Sequence, residues 1–322
     1  MNSKLKYSVF IVFLSALLGV HCRKDVEFFR AYPSSVTEIR QTLAQVPDPT
    51  TRSLFALQNL RKDTVLTTAG GLRLILSDTE SLFQDALSGA SVSCSACANL
   101  TLEVIEVMKK GDMLARELPA ATQQGDPLEC AFMVFLKFSC DGKEIKPRAD
   151  RSVKIQVPAA PPVADLLLWQ GSANDTQLAA WDLAPDSADI LTAEWPAAGN
   201  PVSGYELVVK NTGWLCAGKI QAGQRTNYCV QMPPGFDAEN SRVFLLMKNS
   251  RSVFRLQPNT DNNLFCVDGA PAGLPVQLIT ISKLGTQFLL GNADPQTDVH
   301  SKVVVTPKYA TPAEIIQLIK NL

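Results

Sequence analysis

Histidine is almost missing from this 322-residue chain, which has only His21 and His300. A serine or cysteine nucleophile ordinarily works beside a positioned base. His21 falls in a leader described below, and His300 stands next to Asp298 in a polar loop, where it reads as a surface residue. Two histidines also cannot build a histidine-rich zinc or iron centre. No Gly-x-Ser-x-Gly and no EF-hand spacing occur. Charge of one sign is lacking too: 30 basic side chains face 31 acidic ones, a formal net charge of −1. No general attraction to nucleic acid follows from that balance. There is no fixed-period repeat, and no helical pattern of 10–15 residues alternates with the strand-like runs, which argues against a Rossmann or barrel architecture. Neither a cofactor nor a metal is expected, and no catalytic residue stands out.

One long apolar run exists, at the start: MNSKLKYSVFIVFLSALLGVHCRKD. Lys4 and Lys6 precede the almost wholly apolar segment Tyr7 to Val20, and charges follow Cys22 at once. The run is short for a permanent bilayer span. A basic start, an apolar middle and small residues near the end are the layout of an export signal. Residues 1–21 are therefore expected to be a signal peptide, and about 300 residues remain for folding. At Cys22 two readings compete: an ordinary residue beside a cleavage point, or an acylated new N-terminus. Each buried methylene contributes about 0.8 kcal/mol, so several acyl chains would hold the protein on a membrane without a spanning helix.

The chain has eight cysteines, seven of them after Cys22, and the odd number leaves at least one thiol unpaired within the chain. Export permits disulfides. Cys94-Ser-Ala-Cys97 is read as a structural disulfide, because a redox motif needs a helix start beside a βαβ unit. Cys130 and Cys140 flank the strand-like AFMVFLKFS; an extended strand of that length spans roughly 30 Å, too far for them to pair. Cys216 and Cys229 bracket the turn-rich AGKIQAGQRTNY and are expected to meet across a hairpin. Cys266 has no evident partner.

The patterns predict an all-β protein with two β-sandwich-like domains, a short helical N-terminal segment and a C-terminal helix. Residues 22–62 read as a partly helical stalk or collar. Ser35-Val-Thr-Glu38 is a capping box, with Ile39, Leu43 and Val46 at helical spacing and Pro47 and Pro49 as the stop. TRSLFALQNLR is read as a second short helix. Residues 63–158 form the first sandwich: Leu72, Leu74 and Leu76 alternate after Gly70-Gly71, and Asp141-Gly142 marks a hairpin. The Pro/Ala-rich VPAAPPVAD around 159–165 reads as a linker, and 166–322 as the second β-rich domain. In the terminal helix, 312–322, Thr311, Pro312 and Glu314 supply the start, and Ile315, Leu318, Ile319 and Leu322 the apolar stripe. That helix is expected to dock on its own domain. Gly111-Asp112 reads as a tight turn that returns Met113 and Leu114 to the core.

TTAGGLRLILSD, the Lys-Gly-Asp-Met step at 110–113, SGYELVVKNTGWLC and the closing Thr-Pro-x-Glu-Ile helix together resemble cell-envelope lipoproteins of the Bacteroidota. The resemblance covers roughly residues 63–322; Glu129-Cys130-Ala131 stands where serine and glycines are usual. It implies an exported, lipidated β protein of a Gram-negative envelope, with the outer membrane as the expected location, and supplies no catalytic residues. The expectation is a non-catalytic scaffold, adhesion or protein-interaction module, held to the membrane through lipid on Cys22 and contacting an envelope protein. The alternative is a glycan-binding surface protein that stacks sugars on Trp181 and Trp195. The same stretch, 175–194, carries Asp175, Asp182, Asp186, Asp189 and Glu194. A plain solvated loop is the favoured reading there, with calcium binding and a glycosidase-like carboxylate pair behind it.

Overall fold

The computed structural model describes residues 34–57, 63–159, 161–174, 177–184, 190–197, 199–259, 263–295 and 302–322. The expected signal peptide at 1–21, the lipidation site Cys22, His300 and Asp298, and Asp175, Asp186 and Asp189 of the carboxylate-rich stretch lie outside these residues.

Among the described residues, β1 (Arg52–Ala56) is the first strand, where the sequence pattern suggested a helix. It pairs with β6 (Leu100–Val107), and its side chains alternate between exposed and half-buried, Leu54 lying open to solvent. Edge pairing has overridden the local helical pattern. β2 (Thr64–Thr67) and β3 (Arg73–Leu76) form the expected hairpin, with Leu72, Leu74 and Leu76 fully buried. The short β4 (Phe83–Asp85) and β5 (Ser91–Val92) follow. β7 (Leu128–Cys140) and β8 (Lys143–Pro147) meet through Asp141 and Gly142, both at positive φ (50° and 81°), as a two-residue hairpin turn requires. β9 (Val153–Pro158), β10 (Leu167–Asn174), β11 (Gln177–Leu183), β12 (Leu191–Ala197), β13 (Asn200–Val209) and β14 (Gly213–Ile220) complete a first sandwich. Its larger sheet runs β11-β10-β14-β7-β8-β4-β5, with β6 on the other side of β7 and β1 beyond it; its smaller sheet runs β12-β13-β9-β3-β2.

The second sandwich begins at β15 (Arg225–Gln231). β16 (Ser241–Met247), β17 (Val253–Arg255), β18 (Gln257–Asn259), β19 (Leu264–Pro271), β20 (Val276–Leu284), β21 (Gln287–Ala293), β22 (Lys302–Val304) and β23 (Lys308–Tyr309) follow. One sheet is ordered β18-β19-β15-β22 and the other β17-β16-β20-β21-β23.

The fold is thus largely β with two sheet groupings, as the sequence predicts. The boundary between the groupings is elsewhere. Segment 159–165 does not separate two sandwiches: β9 before it pairs with β13 after it, and β7 pairs with β14. The Pro-rich run carries the chain from one sheet of the first sandwich to the other. Its composition signals a break in regular structure, and a crossover inside one sandwich has the same composition as a linker. The passage between the sandwiches is the short stretch from Gln221 to Gln224, between β14 and β15.

Two apolar clusters fill the molecule. One lies inside the first sandwich and includes Leu74, Leu102, Phe132, Val134, Leu136, Phe138, Ile155, Leu207 and Leu215. The other fills the second sandwich and reaches back onto the outer face of the first, through Leu128, Cys130, Met133, Trp181 and Cys216. β7 serves both clusters because it changes face within its length. Phe132 pairs with Ala217 and Cys130 with Gly218, so Ala131 is one residue too many for its partner strand. Such a bulge shifts the two-residue alternation by one. Residues 128 and 130 therefore point to the second core, and 132, 134, 136 and 138 to the first.

Three helices cover this junction: α1 (Val36–Leu43), α2 (Lys110–Ala115) and α3 (Pro312–Lys320). α1 lacks the expected capping box. Ser35 Oγ instead donates to the Lys283 carbonyl at 2.8 Å, and Glu38 faces Lys283 Nζ at 3.3 Å, so both side chains are used to dock the helix on β20. α3 has the full reciprocal cap between Thr311 and Glu314, and buries Ile315 and Ile319. The Gly111-Asp112 step is the first turn of α2 rather than a tight turn, and Met113 and Leu114 are buried as expected. A Cβ on Gly111 would stand 2.1 Å from the Ile319 carbonyl oxygen, so the α2–α3 contact needs a residue without a side chain. Gly111→Ala should destabilise the protein by about 1–3 kcal/mol, read as a lower urea midpoint with the far-ultraviolet spectrum retained. An unchanged midpoint would show that α3 does not dock there.

Candidate ligand-binding groove

The first half of β7 borders a cavity of about 410 Å³ between the sandwiches. Phe132, the last strand residues Val157 and Pro158, Tyr205 of β13, and Pro161, Val163 and Leu166 of the crossover make one end apolar. The Tyr205 hydroxyl accepts a 2.7 Å hydrogen bond from the Val163 amide and so fixes the crossover against the floor. The other end is basic: Lys110 from α2, Lys219 from the end of β14, and Lys248 and Arg251 from the turn after β16, against one carboxylate, Glu129. A second cavity of about 470 Å³ shares Glu129, Lys219, Asn249 and Ser250 and continues past Ile220 to Leu274 and Pro275. The two cavities adjoin at these four residues along the seam of the sandwiches.

The basic side chains are held from opposite sides of that seam. Lys110 Nζ donates to the carbonyls of Met247 (2.7 Å) and Lys248 (3.0 Å), joining α2 to the end of β16. Burial pulls its pKa below the ordinary lysine value, and Arg251 nearby adds to the effect. Arg251 donates to the carbonyl of Ala131, the bulged residue of β7. Lys219 sits 3.9 Å from Glu129, and Lys248 3.1 Å from Asp294; both are substantially exposed.

Glu106 and Glu117 are among the carboxylates perturbed by their surroundings. Glu106 is buried, which pushes its pKa up; hydrogen bonds from Thr68 and the Gly70 amide work against that, and one of its oxygens has no partner. Glu117 lies at the helix junction, bound by Arg255 (2.9 Å), Arg242 (3.1 Å) and Arg40 (3.2 Å). Burial alone would raise its pKa, but the Arg242, Arg255 and Arg40 guanidiniums outweigh it and hold the carboxyl below the ordinary range. Neither group borders the groove.

The aromatic residues expected to meet sugars are interior. Trp181 is fully buried, and its indole N–H donates to the Pro119 carbonyl at 2.6 Å. Trp195 is 4% exposed and lies over Gly204. Both face inward from strands β11 and β12, as aromatic rings in a sheet commonly do. Asp182 accepts from Gln123 at 2.8 Å and Glu194 from Ser203 at 3.1 Å. Among the described residues, no group of three or more His, Cys, Asp and Glu side chains is placed to hold a metal ion.

The cysteine pairing also differs from the sequence expectation. Cys229 is bonded to Cys266, not to Cys216. β14 and β15 belong to different sandwiches, so the turn-rich segment between the two cysteines is a passage rather than a hairpin. Cys229 and Cys266 are direct partners across β15 and β19. Cys97 is bonded to Cys140, leaving Cys94 as a buried thiol. Cys94 donates to the Thr79 carbonyl; burial, with Glu80 adding to it, pushes its pKa up to about 11, so it is a poor nucleophile. Cys130 and Cys140 do not pair, as their separation along one strand requires.

No family model matches the chain, and no curated protein sequence matches it. The groove escaped the sequence reading because its residues come from seven separated segments, none with more than two charges. The Lys109-Lys110 pair and the Lys248-to-Arg251 turn were the only local signals.

Glu117 gives a pH test. Its depressed folded-state pKa adds stability that is present above the ordinary glutamate range and is lost as pH falls through the folded value. Glu117→Gln should lower stability at pH 7 by on the order of 3 kcal/mol, because three guanidiniums lose their counter-charge. The gap from wild type should shrink as pH falls below about 4.5. Chemical denaturation at both pH values measures it.

Proposed function

We propose that the protein is a non-catalytic exported lipoprotein, anchored through Cys22, whose folded part is an interaction module of the cell envelope. Its groove between the sandwiches takes an acidic polypeptide segment of an envelope partner. The observation that carries this reading is the groove itself: an apolar end beside Tyr205 and Leu166, and four basic side chains against Glu129. Apolar anchoring with a charged end suits a segment that combines leucine-like and acidic residues. Support for export comes from the bonds Cys97–Cys140 and Cys229–Cys266, which persist in oxidising compartments, and from the leader ending at Cys22. The resemblance to Bacteroidota envelope lipoproteins agrees with both. The glycan alternative through Trp181 and Trp195 is not taken further, since neither ring is open to a sugar.

Two measurements test the reading separately. Expression of the full chain in a Gram-negative host, followed by intact mass of the membrane-extracted protein, should give an acylated chain beginning at Cys22. A soluble, unacylated product would remove the anchor. For the groove, a fluorescein-labelled peptide rich in Glu and Leu should bind with salt-sensitive affinity. Lys219→Glu combined with Lys248→Glu should weaken it about tenfold, some 1.4 kcal/mol. Affinity that ignores both the reversals and salt would overturn the assignment of the groove.

A further inference from the structure

Cys130 and Cys216 face each other across β7 and β14, both buried, with their sulfur atoms 2.6 Å apart. That is closer than two sulfurs in van der Waals contact, and a little over half an ångström longer than a disulfide bond of about 2.05 Å. The approach has a structural cause. Cys130 is opposite Gly218, two residues along β14 from Cys216 and on the same face. A Cβ on Gly218 would stand 3.2 Å from the Cys216 sulfur and 2.9 Å from the Glu129 carbonyl oxygen. The missing side chain opens the diagonal between the two thiols, and the bulge at Ala131 turns Cys130 onto the face that Cys216 shares. The cysteine count agrees. Of the seven after Cys22, two bonds use four; this pair would use two more and leave Cys94, which is buried in the core of the first sandwich and hydrogen-bonded to the Thr79 carbonyl.

We propose that Cys130 and Cys216 are the protein's third cross-link, oxidised by the same class of thiol–disulfide oxidant that forms Cys97–Cys140 and Cys229–Cys266. One cysteine thiolate attacks a sulfur of the oxidant's disulfide, giving a mixed disulfide and one released thiol. The second cysteine thiolate then displaces the oxidant's remaining sulfur. In sum, the two cysteines lose two protons and two electrons, and the oxidant's disulfide becomes two thiols. The exchange occurs before β7 and β14 close, because burial in the folded state raises the Cys216 thiol well above its ordinary pKa and suppresses the thiolate. The bond ties together the two strands that form the wall between the cores, directly behind the groove floor.

The test uses the full chain, reduced and unfolded, then refolded in glutathione with glutathione disulfide until Cys97–Cys140 and Cys229–Cys266 are complete. Remaining thiols are trapped with N-ethylmaleimide in denaturant, and the protein is digested without reduction. The expected result is a linked peptide carrying Cys130 and Cys216, with the maleimide on Cys94 and absent from both. Maleimide on both Cys130 and Cys216 would overturn the proposal, and so would a link from either of them to Cys94.

Discussion

β7 and β14 form a wall with a hydrophobic core on each side, and the remaining architecture depends on that condition. A strand pair buried on both faces cannot offer a polar side to water, so its sequence must be apolar at successive positions. Phe132, Met133 and Val134 are all buried, as are Leu215, Cys216, Ala217 and Gly218. The bulge at Ala131 assigns these residues to the two cores. Without it, Leu128 and Cys130 would share the face of Phe132, and the second core would keep Met133 and Cys216 of the wall but lose those two residues. A bulge also disturbs the ladder, and the Ala131 carbonyl is taken by Arg251, which comes from the second sandwich. The irregularity that directs side chains to both cores therefore also supplies an acceptor that binds the sandwiches together.

The helix junction completes the same joint. α1 comes from before the first sandwich, α2 from within it and α3 from the end of the chain, and the apolar residues of all three enter the second core. Glu117, just after α2, gathers guanidiniums from α1, β16 and β17. An ion cluster of this kind is costly to desolvate and contributes little net stability against an apolar replacement. Its geometric effect is larger: it admits one arrangement of α2 relative to the second sandwich, and Lys110 at the start of α2 is placed by that arrangement.

Much of this was legible in local sequence, and the failures share one cause. The β2–β3 hairpin, the Asp141-Gly142 turn and the cap at Thr311 and Glu314 depend on neighbours within a few residues, and all three form. Ser35 and Glu38 carry the same capping signature but are drawn to Lys283, far along the chain. β1 looked helical until β6 supplied an edge. The Pro-rich 159–165 looked like a domain boundary, although the strands around it are partners of strands that follow it. Trp181 looked exposed among polar residues, yet it lies in a core that only the second sandwich completes. The apolar run AFMVFL, before the exposed Lys137, holds the central fact. Lack of alternation in a strand is a mark of burial on both faces, a signal that strand propensity alone does not use.

The two concentrations of positive charge differ in what satisfies them, and that difference separates structure from recognition. At Glu117 three guanidiniums close on one carboxylate, which is itself only 8% exposed. In the groove, Lys110 and Arg251 donate to backbone carbonyls. A carbonyl fixes the position of a cation without cancelling its charge, so the field of these groups persists into the cavity, where low-dielectric walls concentrate it. Glu129 is the one acidic side chain on the lining, and at 3.9 Å from Lys219 it offsets a single lysine loosely. The apolar end beyond Phe132 and Tyr205 has no comparable polar demand. A ligand that meets both ends must carry negative charge at one side and apolar surface at the other, and a groove continuing past Leu274 accommodates an extended chain better than a compact solute.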